Sequence, residues 1–271
     1  MPVGQARIPM AQASGWKRIA QLEWTMAKGQ REDEGEPGGE DTGEPVSQQD
    51  ELCPWHDLVA PEGIFQIRVN GSRPVLCDGQ GWMDILSRGD GSENFDRNWT
   101  DYKEGFGKLW GEFFLGLEKL HQLTKDEPHL LYVYLRDVHS NSRFARYDGF
   151  QIGSEEESYS LKALGRYSGS AGDSLGIHRG MKFSTIDRDN TRSKANCAEI
   201  YGGGWWYNDC GDSDLTGKYF NIGKTDLNGI LWKTWRKHVF PLSITKVTMS
   251  IVSKSQNDQI EREWQSYDRT L

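Results

Sequence analysis

Hydrophobic and polar positions alternate through Gly63-Ile64-Phe65-Gln66-Ile67-Arg68-Val69, the pattern of a half-buried strand, and Asn70-Gly71 supplies a hairpin turn. Residues 74–77 read as the partner strand. Apolar residues at 113, 114, 117 and 120 have helical spacing, so residues 110–123 predict a helix with Gly116 as a weak point inside it. Leu130-Leu131-Tyr132-Val133-Tyr134-Leu135 predicts a strand running into Arg136-Asp137. Residues 159–167 predict another, ended by Ser168-Gly169-Ser170-Ala171-Gly172, and residues 247–252 a late one, after which the sequence from 254 is a polar tail. Near the start, residues 14–28 have room for a short helix with Trp16, Ile19 and Ala20 near one face, too short for a coiled coil. There is no internal repeat.

Periodicity fades between 172 and 230, where Gly, Asp, Asn, Ser and aromatic residues dominate. A long irregular stretch inside a compact domain is usually a functional loop region. Composition agrees: 31 glycines in 271 residues is about 11% against a usual ~7%. Eleven tryptophans and ten tyrosines accompany them, which points to a loop-rich domain with an aromatic core. Trp205, Trp206, Trp232 and Trp235 are read as core in preference to a sugar-stacking platform.

Charge divides the sequence. Residues 32–51 hold nine acidic and no basic residues, so this segment accounts for the net charge of −8 and leaves the rest near +1. Together with Gly35, Pro37, Gly38, Gly39, Gly43 and Pro45 it reads as a disordered acidic linker closing an N-terminal segment, 1–52, ahead of a domain at 53–271. The balanced remainder has no basic run for nucleic acid. No apolar run approaches the ~18 residues of a membrane span, and mean hydropathy is −0.72. Residues 1–10 lack the apolar core of a signal peptide, and with the composition this leads us to expect that the true N-terminus is missing.

Cysteines stand at 53, 77, 197 and 210. Four cysteines allow three disulfide pairings, and the sequence-local one, Cys53–Cys77 with Cys197–Cys210, is favoured over four free buried thiols. Zinc would need CxxC pairs, and none occurs. A bridge over 197–210 would contribute about 3 kcal/mol in the entropic model of cross-linking, and disulfides imply an oxidising compartment.

The irregular stretch carries a resemblance. Phe183-Ser184-Thr185-Ile186-Asp187-Arg188-Asp189-Asn190-Thr191 is followed by Asn196-Cys197-Ala198, then Gly204-Trp205-Trp206-Tyr207 and Cys210. Phe95-Asp96-Arg97-Asn98-Trp99, Tyr102-Lys103-Glu104-Gly105-Phe106-Gly107, Leu115-Gly116-Leu117, Tyr167-Ser168-Gly169-Ser170-Ala171-Gly172-Asp173-Ser174-Leu175, Leu215-Thr216-Gly217-Lys218-Tyr219 and Asn228-Gly229-Ile230-Leu231-Trp232 keep the same order. Over about residues 53–251 the protein resembles the fibrinogen C-terminal domain family of fibrinogen chains, ficolins, tachylectins and angiopoietins. The resemblance implies an α+β domain: a twisted, mostly antiparallel sheet with short helices and a large irregular calcium- and ligand-binding loop region. It also puts both cysteine pairs where the family has its disulfides. It weakens after Trp82, where Met83-Asp84-Ile85-Leu86-Ser87-Arg88 replaces the family's usual strand sequence.

Alternate acidic and polar oxygens suit a hard cation such as calcium, although a short Asp-rich loop is by itself more often an Asx-turn. The resemblance implies a Ca2+ site at Asp189 and Thr191 with the carbonyls of Ser193 and Ala195. Thr191 stands where the family has a second Asp, so the site loses a carboxylate. The family's acetyl-binding pocket maps onto Tyr201, a cis bond between Asp209 and Cys210, Gly211 in place of a His, and Asp226-Leu227 in place of a Tyr-Ala pair. Two pocket walls have changed. Asp226 also invites comparison with the fibrinogen Asp that receives a peptide's ammonium, but a turn pointing to water is the favoured reading.

Asn70-Gly71-Ser72 and Asn98-Trp99-Thr100 are N-glycosylation sequons, Asn70 in a turn and Asn98 in a block that matches the folded core. No GxSxG, HExxH or P-loop occurs, and histidines 56, 121, 129, 139, 178 and 238 pair with no nucleophile in a motif, so no enzyme is expected. The expectation is a secreted binding module for a protein or carbohydrate ligand, with a calcium-dependent lectin for acetylated groups as the alternative. Oligomerisation would run through segments upstream of this sequence.

Overall fold

The computed structural model describes residues 65–68, 74–77, 81–220, 228–235 and 244–268. All of them belong to the unit Val46–Leu271. The acidic linker at 31–52, the helix expected at 14–28, Cys53, Asn70, Asp226 and Leu227 lie outside the described residues.

Twelve strands are described: β1 (Phe65–Arg68), β2 (Pro74–Cys77), β3 (Met83–Arg88), β4 (Phe106–Gly107), β5 (Phe113–Phe114), β6 (His129–Asp137), β7 (Ser142–Ile152), β8 (Leu161–Ala163), β9 (Tyr167–Gly169), β10 (Ser213–Asp214), β11 (Leu231–Trp232) and β12 (Ile244–Ser253). Ten join one sheet in the order β1-β2-β3-β12-β6-β7-β8, with β5 also on β3, β4 on β5 and β9 on β7. Every pairing between these strands is antiparallel, and β10 pairs with β11 apart from the main sheet. Four α-helices accompany them among the described residues: α1 (Trp99–Glu104), α2 (Leu117–Thr124), α3 (Cys197–Tyr201) and α4 (Lys254–Asp268).

The strands at 65–68 and 74–77 pair in register, Phe65 opposite Cys77. The expected strand at 130–135 lies inside β6, and that at 247–252 inside β12. The helix expected over 110–123 is corrected: Phe113 and Phe114 form β5, and only 117–124 is helical. Gly116, at φ +110°, separates the two; a Cβ there would meet the Glu104 backbone at 2.8 Å. The single strand expected at 159–167 is two, β8 and β9, divided at Gly165 with φ +69°. Met83–Arg88 is a strand although its residues depart from the family pattern: Met83, Ile85 and Leu86 are buried, and the pairing with β12 shifts register at Ile85. Strand β7 had no sequence signal, since its buried positions include Ala145 and Gly149. The polar tail from 254 forms helix α4, which the sequence reading did not anticipate.

All four tryptophans read as core are buried, Trp205, Trp206 and Trp232 to 1% exposure and Trp235 to 3%. Tyr102, Phe106, Phe114, Phe183 and Trp206 form an aromatic cluster, mostly edge-on or tilted, with ring centroids from 5.1 to 6.4 Å apart. Such pairs add about 0.5–1.5 kcal/mol each beyond their burial. The end of β3 then reaches into the irregular region. Arg88 donates to the carbonyls of Leu215 and Gly217 at 3.2 and 2.9 Å and lies 3.6 Å from buried Glu112. Glu112 in turn accepts from the backbone N–H groups of Gly89, Asp90, Gly91 and Glu93. The sheet thus reaches one side of the loop region through the Arg88 guanidinium, beside which Glu112 supplies the opposite charge.

Candidate functional site

With only short ladders and isolated bridges, the loop region is held largely by side chains that bond its backbone groups. An antiparallel bridge joins Ser184 to Trp205. Asn190 donates to Phe183 O at 2.7 Å and its N–H reaches Ser184 Oγ at 3.0 Å. Asn196 caps α3 by accepting from Ala198 N, while its amide donates back to Thr185 O and Ile186 O. Asp187 accepts from Trp99 N and Thr185 Oγ1, which ties the loop to the first residue of α1. Ile186 and Ile200, on either side of Asn196 in sequence, are 40% and 49% exposed.

The disulfide Cys197–Cys210 is present and closes the loop. Cys77 is also disulfide-bonded and buried; Cys53, the partner that the resemblance implies, lies outside the described residues. The expected cis bond at Asp209–Cys210 is corrected, for no peptide bond among the described residues is cis. The reversal there is made by positive φ angles instead, +43° at Cys210 and +142° at Gly211.

Gly211 carries no side chain of its own, yet an imidazole stands beside it. A Cβ at 211 would lie 2.1 Å from Cε1 of His178. His178 is fully buried. Its Nδ1 donates to Trp206 O at 2.8 Å, which leaves Nε2 to accept from the Asp212 and Ser213 N–H groups, both at 3.2 Å. Burial pushes its pKa below the usual histidine range. Next to it, the Asp212 carboxylate pairs with Lys233 at 2.8 Å. Two residues on, Asp214 is fully buried and pushed up by desolvation, although the Tyr207 hydroxyl at 2.6 Å and the Thr216 N–H and hydroxyl pull it the other way. Tyr201 packs 5.9 Å from Tyr207, between ring centroids. Sequence reasoning missed His178, because its contacts are 28 to 35 residues away and no local motif marks it.

Asp189, Thr191, Ser193 and Ala195 follow one another along a single loop. Asp189 Oδ1 accepts from Thr191 N at 2.9 Å, which is the Asx-turn reading of such a loop. The Thr191 hydroxyl oxygen is buried without a hydrogen-bond partner. Neither the Ser193 nor the Ala195 carbonyl accepts a backbone hydrogen bond from the described residues. Among the described residues no three His, Cys, Asp or Glu side chains cluster for a metal. The donor set is therefore oxygen-only with one carboxylate, which suits a hard cation of low affinity.

Residues 64–254, which include this whole loop region, match the C-terminal globular domain of the fibrinogen beta and gamma chains. The protein belongs to the fibrinogen C-terminal domain family. It is 44% identical over 193 residues to human fibrinogen-like protein 1, covering 65% of this sequence and 61% of that protein. It is 40% identical over 223 residues to the human fibrinogen alpha chain, covering 71% of this sequence and 25% of that one. The match thus spans about three-fifths of the first relative's length. Among solved structures, the fibrinogen-like globe domain of human ANGPTL6 superposes with a TM-score of 0.68 at 37% identity, covering 76% of this protein and 99% of that domain. A lamprey fibrin D-dimer structure, complexed with the peptide ligand Gly-His-Arg-Pro-amide, superposes at 0.66 with 30% identity over 90% of this protein and 84% of that one. Fibrinogen C-terminal domains are non-enzymatic binding modules, and this is one of them. Helix α4 lies almost entirely beyond the matched stretch.

Proposed function

We propose that this fibrinogen-like domain is a secreted recognition module that binds a protein or peptide ligand at the loop region around Tyr201 and residues 209–212. The observation that carries the reading is the filled space at Gly211. The His178 imidazole occupies the room a side chain would take, and both its nitrogens are engaged inside the protein. No outward imidazole is left at 211 to line an acetyl pocket, and Leu227 is bulkier than the Ala that the resemblance implies. Two exposed isoleucines, Ile186 and Ile200, flank Asn196 in the same loop region, which favours a protein surface as partner. The lamprey relative's peptide ligand supports the same class. The Cys197–Cys210 bridge supports an oxidising, extracellular setting.

A calcium-dependent lectin for acetylated groups is the second reading, favoured by the buried, partnerless Thr191 hydroxyl. Calcium would be held there by Asp189, Thr191 and the carbonyls of Ser193 and Ala195, and would supply a fixed positive charge that orders the loop. With a single carboxylate the site binds it weakly. Calorimetry of the full-length protein with calcium and with N-acetylglucosamine, in wild type and Thr191→Asp, separates the readings. The expected result is weak calcium binding that tightens in the variant, and no sugar binding in either. Tight, calcium-dependent sugar binding by the wild type would overturn the protein-ligand reading. Equal calcium affinities would show that Thr191 does not face the metal.

A further inference from the structure

We infer that Asn98 is an N-glycosylation site whose sugar attaches without disturbing the fold. This rests on the secreted setting proposed above. The sequon Asn98-Trp99-Thr100 crosses the start of α1, and burial alternates along it: Asn98 and Thr100 are exposed, while Trp99 is 8% exposed. Trp99 holds this alternation in place. Its backbone N–H donates to Asp187 at 2.9 Å, its indole N–H donates to Glu155 at 3.0 Å, and its ring stacks on Tyr159 with centroids 5.7 Å apart. The residue between the acceptor and the hydroxyl is thus the anchor that turns both outward.

The two atoms of the Asn98 amide have separate duties. Oδ1 accepts the Asp101 N–H at 2.9 Å and caps α1. Nδ2 makes no hydrogen bond among the described residues. Glycosylation uses Nδ2 alone. The nitrogen loses one hydrogen as a proton and forms a bond to the anomeric carbon of an oligosaccharide. The bond from that carbon to the diphosphate of the lipid-linked donor breaks, and the electron pair leaves with the diphosphate. The product is still an amide, and its Oδ1 still accepts from Asp101, so the cap survives the modification. Asn196, which caps α3 in the same way, instead spends its amide nitrogen on Thr185 O and Ile186 O. Asn98 keeps its nitrogen available for a substituent.

The test separates sugar from cap. The full-length protein is secreted from eukaryotic cells behind a heterologous leader, and the peptide containing residue 98 is mapped by mass spectrometry with and without peptide N-glycosidase. The expected wild-type result is a glycan on Asn98 in the major fraction, converted to Asp by the enzyme. Thr100→Ala and Asn98→Asp both lose the glycan and keep the cap, so their melting temperatures match that of enzymatically deglycosylated wild type. Asn98→Gln loses glycan and cap together and melts lower. Mapping by site keeps Asn70 from contributing to the result. A secreted wild-type protein whose residue-98 peptide is unmodified, or unchanged in Thr100→Ala, would overturn the inference while leaving the secreted setting intact.

Discussion

The sheet and the loop region are held together by different means. In β3, β12 and β6 the backbone groups pair with one another, Thr248 opposite Ser87 on one side and Tyr134 on the other, and most side chains only fill space, Arg88 and the Ser250–Asp84 pair being exceptions. Between 178 and 217 short backbone bridges are supplemented by side chains that pair with backbone groups: Asn190 with Phe183 O, His178 with Asp212 N and Ser213 N, Tyr102 Oη with Gly204 N. A strand therefore tolerates any side chain of suitable shape, whereas each turn of the loop depends on one chemical group. Changes of equal size should cost more in the loop than on the sheet.

The sharpest way to break that comparison is at the joint. Trp206 donates its indole N–H to Tyr159 O and meets Phe150 and Phe183 edge-on. Trp206→Ala is expected to lose about 3–5 kcal/mol in denaturant titration. Thr248→Val, half-exposed on the central strand, should stay within about 0.5 kcal/mol. Thr216→Val, the same change in the loop, removes a hydroxyl that donates to Gly204 O and Asp214 Oδ1 and should cost about 1–3 kcal/mol; equal losses at 248 and 216 would end the distinction. Next comes the bridge: Cys197→Ala with Cys210→Ala should cost about 3 kcal/mol, by removing the constraint on the unfolded state. A smaller effect belongs to Gly211→Ala, which forces a Cβ against His178 at a φ of +142°. It should cost about 1–3 kcal/mol. In a His178→Ala background the same substitution should cost less, and a double-mutant cycle reads the coupling. Strict additivity would mean that the two residues do not touch.

The gentlest probe is pH. His178 and His129 are both buried, and desolvation lowers both pKa values below the ordinary 6.5. The unfolded state then binds more protons than the folded one as pH falls through 6.5, so stability drops, by at most about 1.4 kcal/mol per pH unit for each histidine. Above pH 7 neither group contributes. For His178, protonation would set a new N–H against the Asp212 and Ser213 donors, so the loop region should loosen first. Amide exchange at 212 and 213 between about pH 7 and about pH 5.5 follows this directly, and a flat profile in wild type would contradict it.

This contrast also explains what was legible in the sequence. Strands with branched or aromatic buried positions, such as Leu130–Leu135, announce themselves by pattern. Strand β7 does not, because Ala145 and Gly149 fill buried positions that pattern reading expects to be large. Helix α4 left a faint trace, Ile260 and Trp264 four residues apart in a polar run. Candidate site residues came from the family resemblance, not from local chemistry: Asp189 and Thr191 read alone as an ordinary turn, and that turn is present. His178 was illegible because its role arises where two distant segments cross, the 3-10 turn at Gly176–His178 meeting Gly211. The trans bond at Asp209–Cys210 was missed because two positive φ angles accomplish the same reversal.

The place of β12 has a consequence in time. This strand, which follows all the others described, lies between β3 and β6, two of the earlier ones. At a ribosomal rate of roughly 5–20 residues per second, the ~160 residues between β3 and β12 take on the order of ten to thirty seconds to appear. For that interval β3, and from its own later emergence β6, presents a bare edge with no permanent neighbour, the sort of edge that recruits foreign strands. A nascent polypeptide of this kind must be guarded until β12 emerges, and a stop codon even shortly before residue 244 would leave a product that has every other described strand and a gap through the middle of its sheet.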